Sequence, residues 1–367
     1  MASFAPGRVN LIGEHTDYNG GYVLPAALPL GTLLLAAPRQ DYRLHIHSLT
    51  LNDGAEIDLH NLDRLPGHAW MDYAIGVTTE LARAGHPLCG ADVLIDSNLP
   101  LGSGLSSSAS FEMAVLGMFE QLSDYQLSTP DAALLGQRVE NNFLGLASGV
   151  MDQFAVRGSQ PGHALFLDCR SLEYHPIPVN LHGCIFVVAN SAAPRKLTGS
   201  EYNQRVAECR EAVAALSPEP GKLLRDFDLP ALEAARPGMA DTPYRRARHV
   251  ITENARTLEA CDALRNGDPA RFGALMNASH ASLRNDYEVS SPELEALVNA
   301  IRAQPGCLGA RLTGAGFGGC AVALFELESI VEQIEAAIAE YKELTSLPGE
   351  AFKFYPAPGA NVWNIPS

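Results

Sequence analysis

The stretch Pro100-Leu101-Gly102-Ser103-Gly104-Leu105-Ser106-Ser107-Ser108-Ala109-Ser110 sets two glycines and a run of serines between two apolar segments. Upstream, Ala91–Asp96 is apolar enough for a buried strand. Downstream, apolar side chains recur at helical spacing and form one face. They are Phe111, Ala114, Val115, Met118, Phe119 and Leu122. The sequence therefore predicts a strand, a loop and a helix, with unpaired backbone N–H groups where the helix begins.

This loop has two interpretations. The first is an ordinary helix start that one serine caps. The second is an anion site, because unpaired N–H donors and the helix dipole both favour negative charge. Gly102 and Gly104 favour the second, since glycine lets a backbone approach a ligand closely. The three hydroxyls of Ser106–Ser108 also exceed the need of one cap, and one of them could reach a metal ion.

Composition limits the class of protein. A chain of 367 residues, 47% hydrophobic and 19% charged, is long enough for two folded domains. Its net charge of −16 argues against nucleic acid and anionic membranes as partners, because both require a basic face. No apolar run reaches the length of a membrane span. Seven scattered cysteines without a C-x-x-C pair indicate reduced thiols in a cytoplasm rather than disulfides or a zinc site.

The order of predicted elements indicates two α+β domains. Strands such as Leu30–Ala36 dominate the first third of the chain. Helices dominate the second half, at residues 201–215, 243–264, 269–283, 292–303 and 328–343. We place the boundary so that residues 1–175 and 176–367 form the two domains. The strand-like segment Ala351–Tyr355 can return to either of them.

A second glycine-rich segment, Gly314–Gly319, fits the G-x-G-x-x-G pattern of dinucleotide-binding loops. That function requires the loop to open a helix. Here it runs into the strand-like Ala321–Phe325, so we reject a Rossmann domain. The P-loop sequence and the protein-kinase motifs are absent as well, so any phosphate transfer must use another loop.

Near the N-terminus, Arg8, Glu14, His15 and Asp17 lie within ten residues. One interpretation is a polar loop with salt bridges. The other is a set of rigid groups for a polyol, because short carboxylates accept hydrogen bonds from sugar hydroxyls in fixed directions.

Two further acids follow. Asp152 lies in the apolar, glycine-broken segment Gly145–Phe154 and is either a cap or a functional acid. Glu140 precedes it by 12 residues on a helix predicted over 130–142. It is either a solvated side chain or an acid aimed at the same pocket as Asp152.

In combination, these segments resemble the galactokinase family of the GHMP small-molecule kinase superfamily. Ala5–Tyr18 is similar to the galactokinase signature, Pro100–Ser110 to the ATP loop of the superfamily, and Thr313–Cys320 to its third motif. Gly149–Phe154 also matches an expected segment. Each match alone is weak, but together they occur in order and at the right spacing over nearly the whole chain.

The resemblance implies a two-domain α+β GHMP kinase fold. Its N-terminal domain is like a ribosomal-protein domain, its C-terminal domain is ferredoxin-like, and the site lies between them. It implies a catalytic pair, Arg8 and Asp152, beside the anomeric hydroxyl of the sugar. It implies a sugar pocket lined by Glu14, His15, Asp17, Gly149, Asp152 and Tyr202. It implies that ATP is held by Gly102, Ser103, Gly104, Leu105, Ser106, Ser107 and Ser108, and Mg²⁺ by Ser108 and Glu140.

The implied activity is ATP- and Mg²⁺-dependent phosphorylation of galactose at O1, in the cytoplasm and without an obligate protein partner. Two alternatives stay open. One is a kinase for a related sugar, such as N-acetylgalactosamine, galacturonate or arabinose. The other is a galactose- and ATP-binding sensor with weak turnover, against which the uninterrupted Ser106–Ala109 argues.

Two features depart from the family pattern. Asp72 stands where the family's Trp-x-Asn-Tyr segment has Asn, next to the expected nucleotide pocket. The sequence also begins almost at the signature, where the family usually has a preceding helical stretch. We therefore expect Phe4 to cover the start of the first strand.

Overall fold

The structure, a computed structural model, describes residues 1–100, 102–193, 198–327 and 330–365. Leu101 of the serine-rich loop and the first two residues of the helix predicted over 328–343 lie outside these ranges.

The strands carry labels in chain order. They are Ala2–Asn10 (β1), Tyr22–Val23 (β2), Pro25–Arg39 (β3), Arg43–Ser48 (β4), Asp53–Asp58 (β5), Gly90–Ser97 (β6), His163–Asp168 (β7), Tyr174–Pro178 (β8), Cys184–Asn190 (β9), Cys307–Thr313 (β10), Cys320–Glu326 (β11), Glu350–Phe354 (β12) and Asn361–Trp363 (β13).

The α-helices are Asp72–Arg83 (α1), Ser107–Leu122 (α2), Thr129–Arg138 (α3), Met151–Gly158 (α4), Thr198–Leu216 (α5), Leu229–Ala235 (α6), Asp241–Asn266 (α7), Pro269–Ser282 (α8), Pro292–Arg302 (α9) and Ile330–Thr345 (α10). Two π-helical turns continue α3 and α8, at Val139–Leu144 and Leu283–Tyr287. Short 3-10 turns lie at Asp17–Asn19, Ala69–Met71, Leu224–Asp226 and Arg236–Gly238.

The first sheet has the strand order β13-β1-β3-β6-β4-β5. Its pairings are antiparallel except for the parallel pair β4–β6. The predicted strand at Ala91–Asp96 is the central part of β6, and the predicted helix after the serine-rich loop is α2. Because α2 packs against β1 and β3, it brings that loop next to the N-terminal segment.

The second sheet has the order β10-β11-β9-β12 and is antiparallel throughout. Counted along the chain, this is the order 2-3-1-4, with a helix between the last two strands. That arrangement confirms the ferredoxin-like expectation. Apolar side chains from β9 and β11 pack against α9 and α10 on one face of this sheet.

The proposed division at residue 175 falls inside β8, which pairs with β7 in a third sheet of order β2-β7-β8. The division therefore stays a prediction. The segment predicted at Ala351–Tyr355 forms β12 and joins β9. The unforeseen β13 pairs with β1, with Ala2 opposite Trp363. The start of β1 is thus covered by β13, and Phe4, expected to cover it, is half-buried.

One apolar cluster joins the two halves of the molecule. Val9 and Leu24 from the N-terminal segments contact the same core as Phe186 of β9 and Phe272 of α8. The loops that emerge at this junction therefore rest on a shared, close-packed core.

Candidate active site

A cavity of about 260 Å³ opens where the two halves meet. Residues far apart in sequence line it, including most of the predicted site: Arg8, Glu14, His15, Asp17, Gly102, Gly104, Ser106, Ser107, Ser108, Glu140, Gly149, Asp152 and Tyr202, together with Asn203, Gly314 and Ala315. Two predicted ATP-binding residues lie outside the lining. Leu105 is buried in the core, and the hydroxyl of Ser103 donates to the carbonyl of Pro100 at 2.7 Å.

The serine-rich loop enters α2 through left-handed backbone conformations. Gly102 has φ +67° and Gly104 has φ +83°, which glycine adopts without strain. Ser106 also has a positive φ, +58°, and its side chain does not cap the helix. Its hydroxyl instead donates to Asp152 at 2.5 Å. This favours the anion interpretation, because no serine cap at Ser106 occupies the first N–H groups of α2.

Arg8 lies on β1, not in the polar loop that one interpretation of the sequence predicted. Its guanidinium donates two hydrogen bonds to Asp152, each of 2.9 Å, and a third to the carbonyl of Gly104 at 2.5 Å. Asp152 lies in the first turn of α4, where the helix dipole favours a carboxylate, but it is not the cap. Its side chain keeps 26% of its exposure and faces the cavity, whereas Arg8 keeps 6%.

A second arginine–carboxylate pair lies deeper. Arg311, which is fully buried on β10, donates to Glu14 at 2.5 Å and to the carbonyl of Asn10 at 3.0 Å. The other oxygen of Glu14 accepts from the backbone N–H of Gly314 at 3.0 Å. Burial raises the pKa of Glu14, whereas the Arg311 guanidinium opposes that rise. The pair therefore joins the N-terminal segment to the glycine-rich turn of the second sheet.

His15 is held in the left-handed region, with φ +62°. Its Nδ1 lies 2.8 Å from the hydroxyl of Tyr18, and its Nε2 lies 3.2 Å from the carbonyl oxygen of Ala315. The ring of Tyr202 lies 5.9 Å from it, centre to centre. Burial lowers the pKa of His15 to about 3, so the imidazole is neutral at physiological pH.

Asp17 packs directly on Gly149. A Cβ at Gly149 would lie 1.8 Å from an oxygen of Asp17, so the position accepts only glycine without displacement. Burial, and then the negative charges of Asp152 and Glu14, raise the pKa of Asp17 to about 7. Asp17 is thus poised to change its protonation state near neutral pH.

Ser108 and Glu140 face each other across the cavity wall. The hydroxyl of Ser108 donates to Glu140 at 3.2 Å. The helix predicted over 130–142 ends at Arg138, and Glu140 follows in a π-helical turn that stops at Gly145, with φ +77°. Single π-turns often occur at functional sites because they redirect a side chain. Burial raises the pKa of Glu140.

A smaller cavity of about 140 Å³ lies on the other side of Ser107 and Ser108, which line both spaces. The aromatic side chains of Trp70, Tyr73 and Phe111 line this second cavity. Next to Tyr73, Asp72 begins α1 with one buried carboxylate oxygen that has no partner within the described part of the chain. Its other oxygen lies 3.5 Å from Arg64.

Sequence reasoning missed three buried residues that hold the site together. Arg311 is one. Glu253 of α7 accepts from the N–H of Gly13 at 3.0 Å, and His249 has its Nε2 at 3.0 Å from the carbonyl of Glu14. Burial raises the pKa of Glu253, but nearby cations, Arg256 first, bring it down to about 2. A lone arginine within an apolar strand pattern was the available signal, because a buried charge needs a partner.

Comparison with known proteins agrees with this geometry. The family described as GHMP kinases N terminal domain matches residues 72–159, and the family described as GHMP kinases C terminal matches residues 260–344. The crystal structure of the Methanococcus jannaschii mevalonate kinase, 20% identical, superimposes with a TM-score of 0.71 over 98% of both chains. These matches give the class: the fold is that of a GHMP kinase.

More similar proteins narrow the class. The Galactokinase galactose-binding signature matches residues 1–38. The galactokinase of Chloroflexus aggregans is 47% identical over 92% of this chain and 87% of its own length. The crystal structure of Lactococcus lactis galactokinase complexed with galactose is 39% identical, with a TM-score of 0.94 over 98% of this chain and 94% of that one. The chain belongs to the galactokinase family and is a kinase.

Proposed function

We propose that this chain transfers the γ-phosphoryl group of ATP to O1 of galactose, giving galactose 1-phosphate and ADP. One observation carries the proposal. Asp152 faces the cavity while accepting from Arg8 on one side and from Ser106 of the serine-rich loop on the other. A proton acceptor is thereby fixed where a sugar hydroxyl and a bound phosphate would meet.

In this proposal, galactose occupies the 260 Å³ cavity between Asp152 and the N-terminal segment. Asp17 and Glu14 offer acceptors to its hydroxyls, His15 and Tyr202 offer rings, and Gly149 leaves room beside Asp17. Each sugar hydroxyl that meets a fixed buried partner discriminates against epimers, because a misplaced hydroxyl leaves that partner unpaired.

The nucleotide would lie across the serine-rich loop. The triphosphate would contact Gly102, Gly104 and the first turn of α2, and the base would enter the aromatic cavity beyond Ser107 and Ser108. Backbone N–H groups at a helix N-terminus suit phosphate oxygens.

The site suits Mg²⁺. Ser108 and Glu140 offer hard oxygen ligands 3.2 Å apart, and Mg²⁺ often takes only one or two ligands from the protein. Over residues 1–100, 102–193, 198–327 and 330–365, no three His, Cys, Asp or Glu side chains group closely enough to hold a metal by themselves. The bound ion would neutralise phosphate charge.

The chemical step needs positioning more than covalent chemistry. Asp152 accepts the proton of O1, and Arg8 stabilises the negative charge that develops beside it. Three donated hydrogen bonds keep the carboxylate in one orientation. In a loose transition state the nucleophile needs little activation before the phosphate bond breaks, so the proton moves to Asp152 late.

The test is Mg²⁺-dependent ADP release by purified protein across galactose, glucose, N-acetylgalactosamine, galacturonate and arabinose. We expect galactose to give by far the highest kcat/KM. An equal kcat/KM for glucose would contradict the assignment, and ADP release without any sugar preference would point to an ATPase.

We also propose that the protein acts in the cytoplasm. Cys89, Cys169 and Cys209 are free thiols, as expected in a reducing compartment. Among the described helices, none has both the length and the apolar character that crossing a membrane requires.

A further inference from the structure

His15 ends a continuous chain of hydrogen bonds that begins at a buried thiol. The sulfur of Cys209 lies 3.1 Å from the hydroxyl oxygen of Tyr287, which lies 2.7 Å from that of Tyr18, which lies 2.8 Å from His15 Nδ1. Nε2 of His15 then meets the carbonyl oxygen of Ala315. We call Cys209, Tyr287, Tyr18 and His15 the hydroxyl chain.

The carbonyl of Ala315 fixes the direction of every bond in the hydroxyl chain. A carbonyl oxygen can only accept, so Nε2 of His15 must carry the hydrogen. The neutral ring then has a bare Nδ1, which must accept from Tyr18. Tyr18 in turn accepts from Tyr287, and Tyr287 accepts from the thiol of Cys209. In the alternative tautomer the lone pair of Nε2 would face the carbonyl oxygen of Ala315, and two acceptors would repel each other.

The chain also closes on itself. The amide nitrogen of Asn19 donates to the backbone carbonyl of His15 at 2.9 Å and to the sulfur of Cys209 at 3.6 Å. The backbone and the ring of His15 are therefore tied to the same buried thiol. This fits the left-handed conformation of His15, which costs energy in a non-glycine residue and needs support from its surroundings.

The backbone around Tyr287 is fixed by hydrogen bonds from two arginines. It is fully buried at the end of the π-helical turn that follows α8. Arg246 donates to the carbonyl of Asp286 at 2.6 Å. Arg205 donates to the carbonyls of Tyr287 and Glu288 at 2.8 and 2.9 Å. Two arginines thus fix the backbone that aims this hydroxyl.

From this geometry we infer that Tyr18, Tyr287 and Cys209 are positioning residues that hold the ring of His15, in its Nε2–H tautomer, in one orientation beside the sugar cavity. The Nε2–H of His15 is used on the carbonyl of Ala315, so the cavity meets a neutral ring of fixed orientation, and the neighbouring Asp17 carboxylate presents an acceptor. The sugar packs against the His15 ring while one of its hydroxyls donates to the Asp17 carboxylate. This inference rests on the proposed function, because it concerns the same sugar pocket.

The electrostatics of the pocket agree with a neutral, ordered chain. Burial, His249 and the cationic Arg205 and Arg311 all lower the pKa of His15. Burial also raises the pKa of Tyr18 and Tyr287 well above the usual tyrosine range, and that of Cys209 to about 11. All four groups are therefore uncharged at neutral pH.

The test is the tautomer itself, read from long-range proton–nitrogen correlation spectra of ¹⁵N-histidine-labelled protein. His15 is one of 11 histidines, and its signals are those that disappear in His15→Gln. We expect wild-type His15 to be Nε2–H from pH 6 to 8, and Tyr18→Phe to shift its Nδ1 signal, because that nitrogen loses its hydrogen-bond donor. The KM for galactose should rise about three- to tenfold in Tyr18→Phe while kcat changes little.

Tyr341→Phe is the matched control. Its hydroxyl is also buried and donates to the carbonyl of Ser191 at 2.7 Å, but it lies in the second sheet's core. It should change neither the His15 tautomer nor the KM. If Tyr18→Phe does not fold, Tyr287→Phe must shift the Nδ1 signal of His15 and raise KM to a smaller extent.

Three results overturn the inference: an Nδ1–H or charged His15 in the wild type, an unaltered Nδ1 signal and KM in Tyr18→Phe, or an unaltered Nδ1 signal and KM in Tyr287→Phe. The NMR spectra report the state of His15 whether or not the protein turns over substrate. A protein with the expected tautomer but no galactose-dependent ADP release would refute the proposed function and leave the role of the hydroxyl chain intact.

Discussion

The site contains two arginine–carboxylate pairs that differ in the solvent exposure of their side chains. The Arg8–Asp152 pair reaches the cavity, and its carboxylate keeps 26% of its exposure. The Arg311–Glu14 pair has exposures of 0% and 3% and links the N-terminal segment to β10. The first pair therefore leaves its carboxylate open to the cavity, whereas the second uses most of its carboxylate's hydrogen bonds to join the two halves. The difference teaches that the acid still open to the cavity is the one suited to reaction.

The sharpest way to break this comparison is Asp152→Asn. The substitution keeps the shape of the side chain and removes the proton acceptor, so kcat for ADP release should fall on the order of 10²–10⁴-fold. Calorimetry should still detect galactose binding, and the thermal unfolding midpoint should stay close to that of the wild type. Near-normal kcat in the folded variant would assign Asp152 a structural role instead.

Arg311→Met should show the opposite behaviour. It leaves the buried Glu14 without its cation, which costs about 3–5 kcal/mol of the free energy of unfolding. Urea titration measures this loss. Arg271→Met is the matched control, because it removes the exposed partner of Glu259 and should cost less than about 1 kcal/mol. Equal losses in the two variants would show that the buried pair does not hold the halves together.

Gly149→Ala tests the part of the cavity next to Asp152 where Asp17 packs on Gly149. The new methyl group would overlap the Asp17 carboxylate, so Asp17 must move and KM for galactose should rise about tenfold or more. Gly238→Ala is the control, because a Cβ there meets no atom within 4 Å. A wild-type KM in Gly149→Ala would mean that Asp17 does not bind the sugar.

The smallest expected effect is on pH dependence. The folded pKa of Asp17, about 7, lies above its ordinary value, so the side chain gains a proton as pH falls through 7. A protonated carboxyl loses acceptor capacity, and KM for galactose should therefore rise by roughly up to tenfold per pH unit below 7. In Asp17→Asn this slope should vanish, with a KM that is higher throughout. Persistence of the slope would place the titrating group elsewhere.

The sequence predicted the parts of the site that are local. An anion-binding loop was predicted from Gly102, Gly104 and the serines, because the backbone geometry of these residues depends on their neighbours in the chain. The contact of Arg8 with Asp152, 144 residues away, follows from no spacing rule and came only from the family resemblance. Arg311 was readable as a charge in an apolar strand, but its partner was not.

The fold was predicted where the sequence pattern is clear, as in α2 or β6, and missed where it is short or irregular. A π-helical turn breaks the helical period, so the predicted helix that contains Glu140 ran past Arg138. The three residues of β13 are too few to show the alternation that predicts a strand. The strand is defined only by its pairing with β1.

The pairing of β1 with β13 can form only late in the synthesis of the chain. Domains generally fold from the N-terminus as the chain leaves the ribosome. Here β1 gains its neighbour β13 only after residues 361–363 emerge, behind the whole second sheet. The first sheet must wait with one edge open, and nascent chains stalled before β13 should remain more sensitive to protease than chains released just after it.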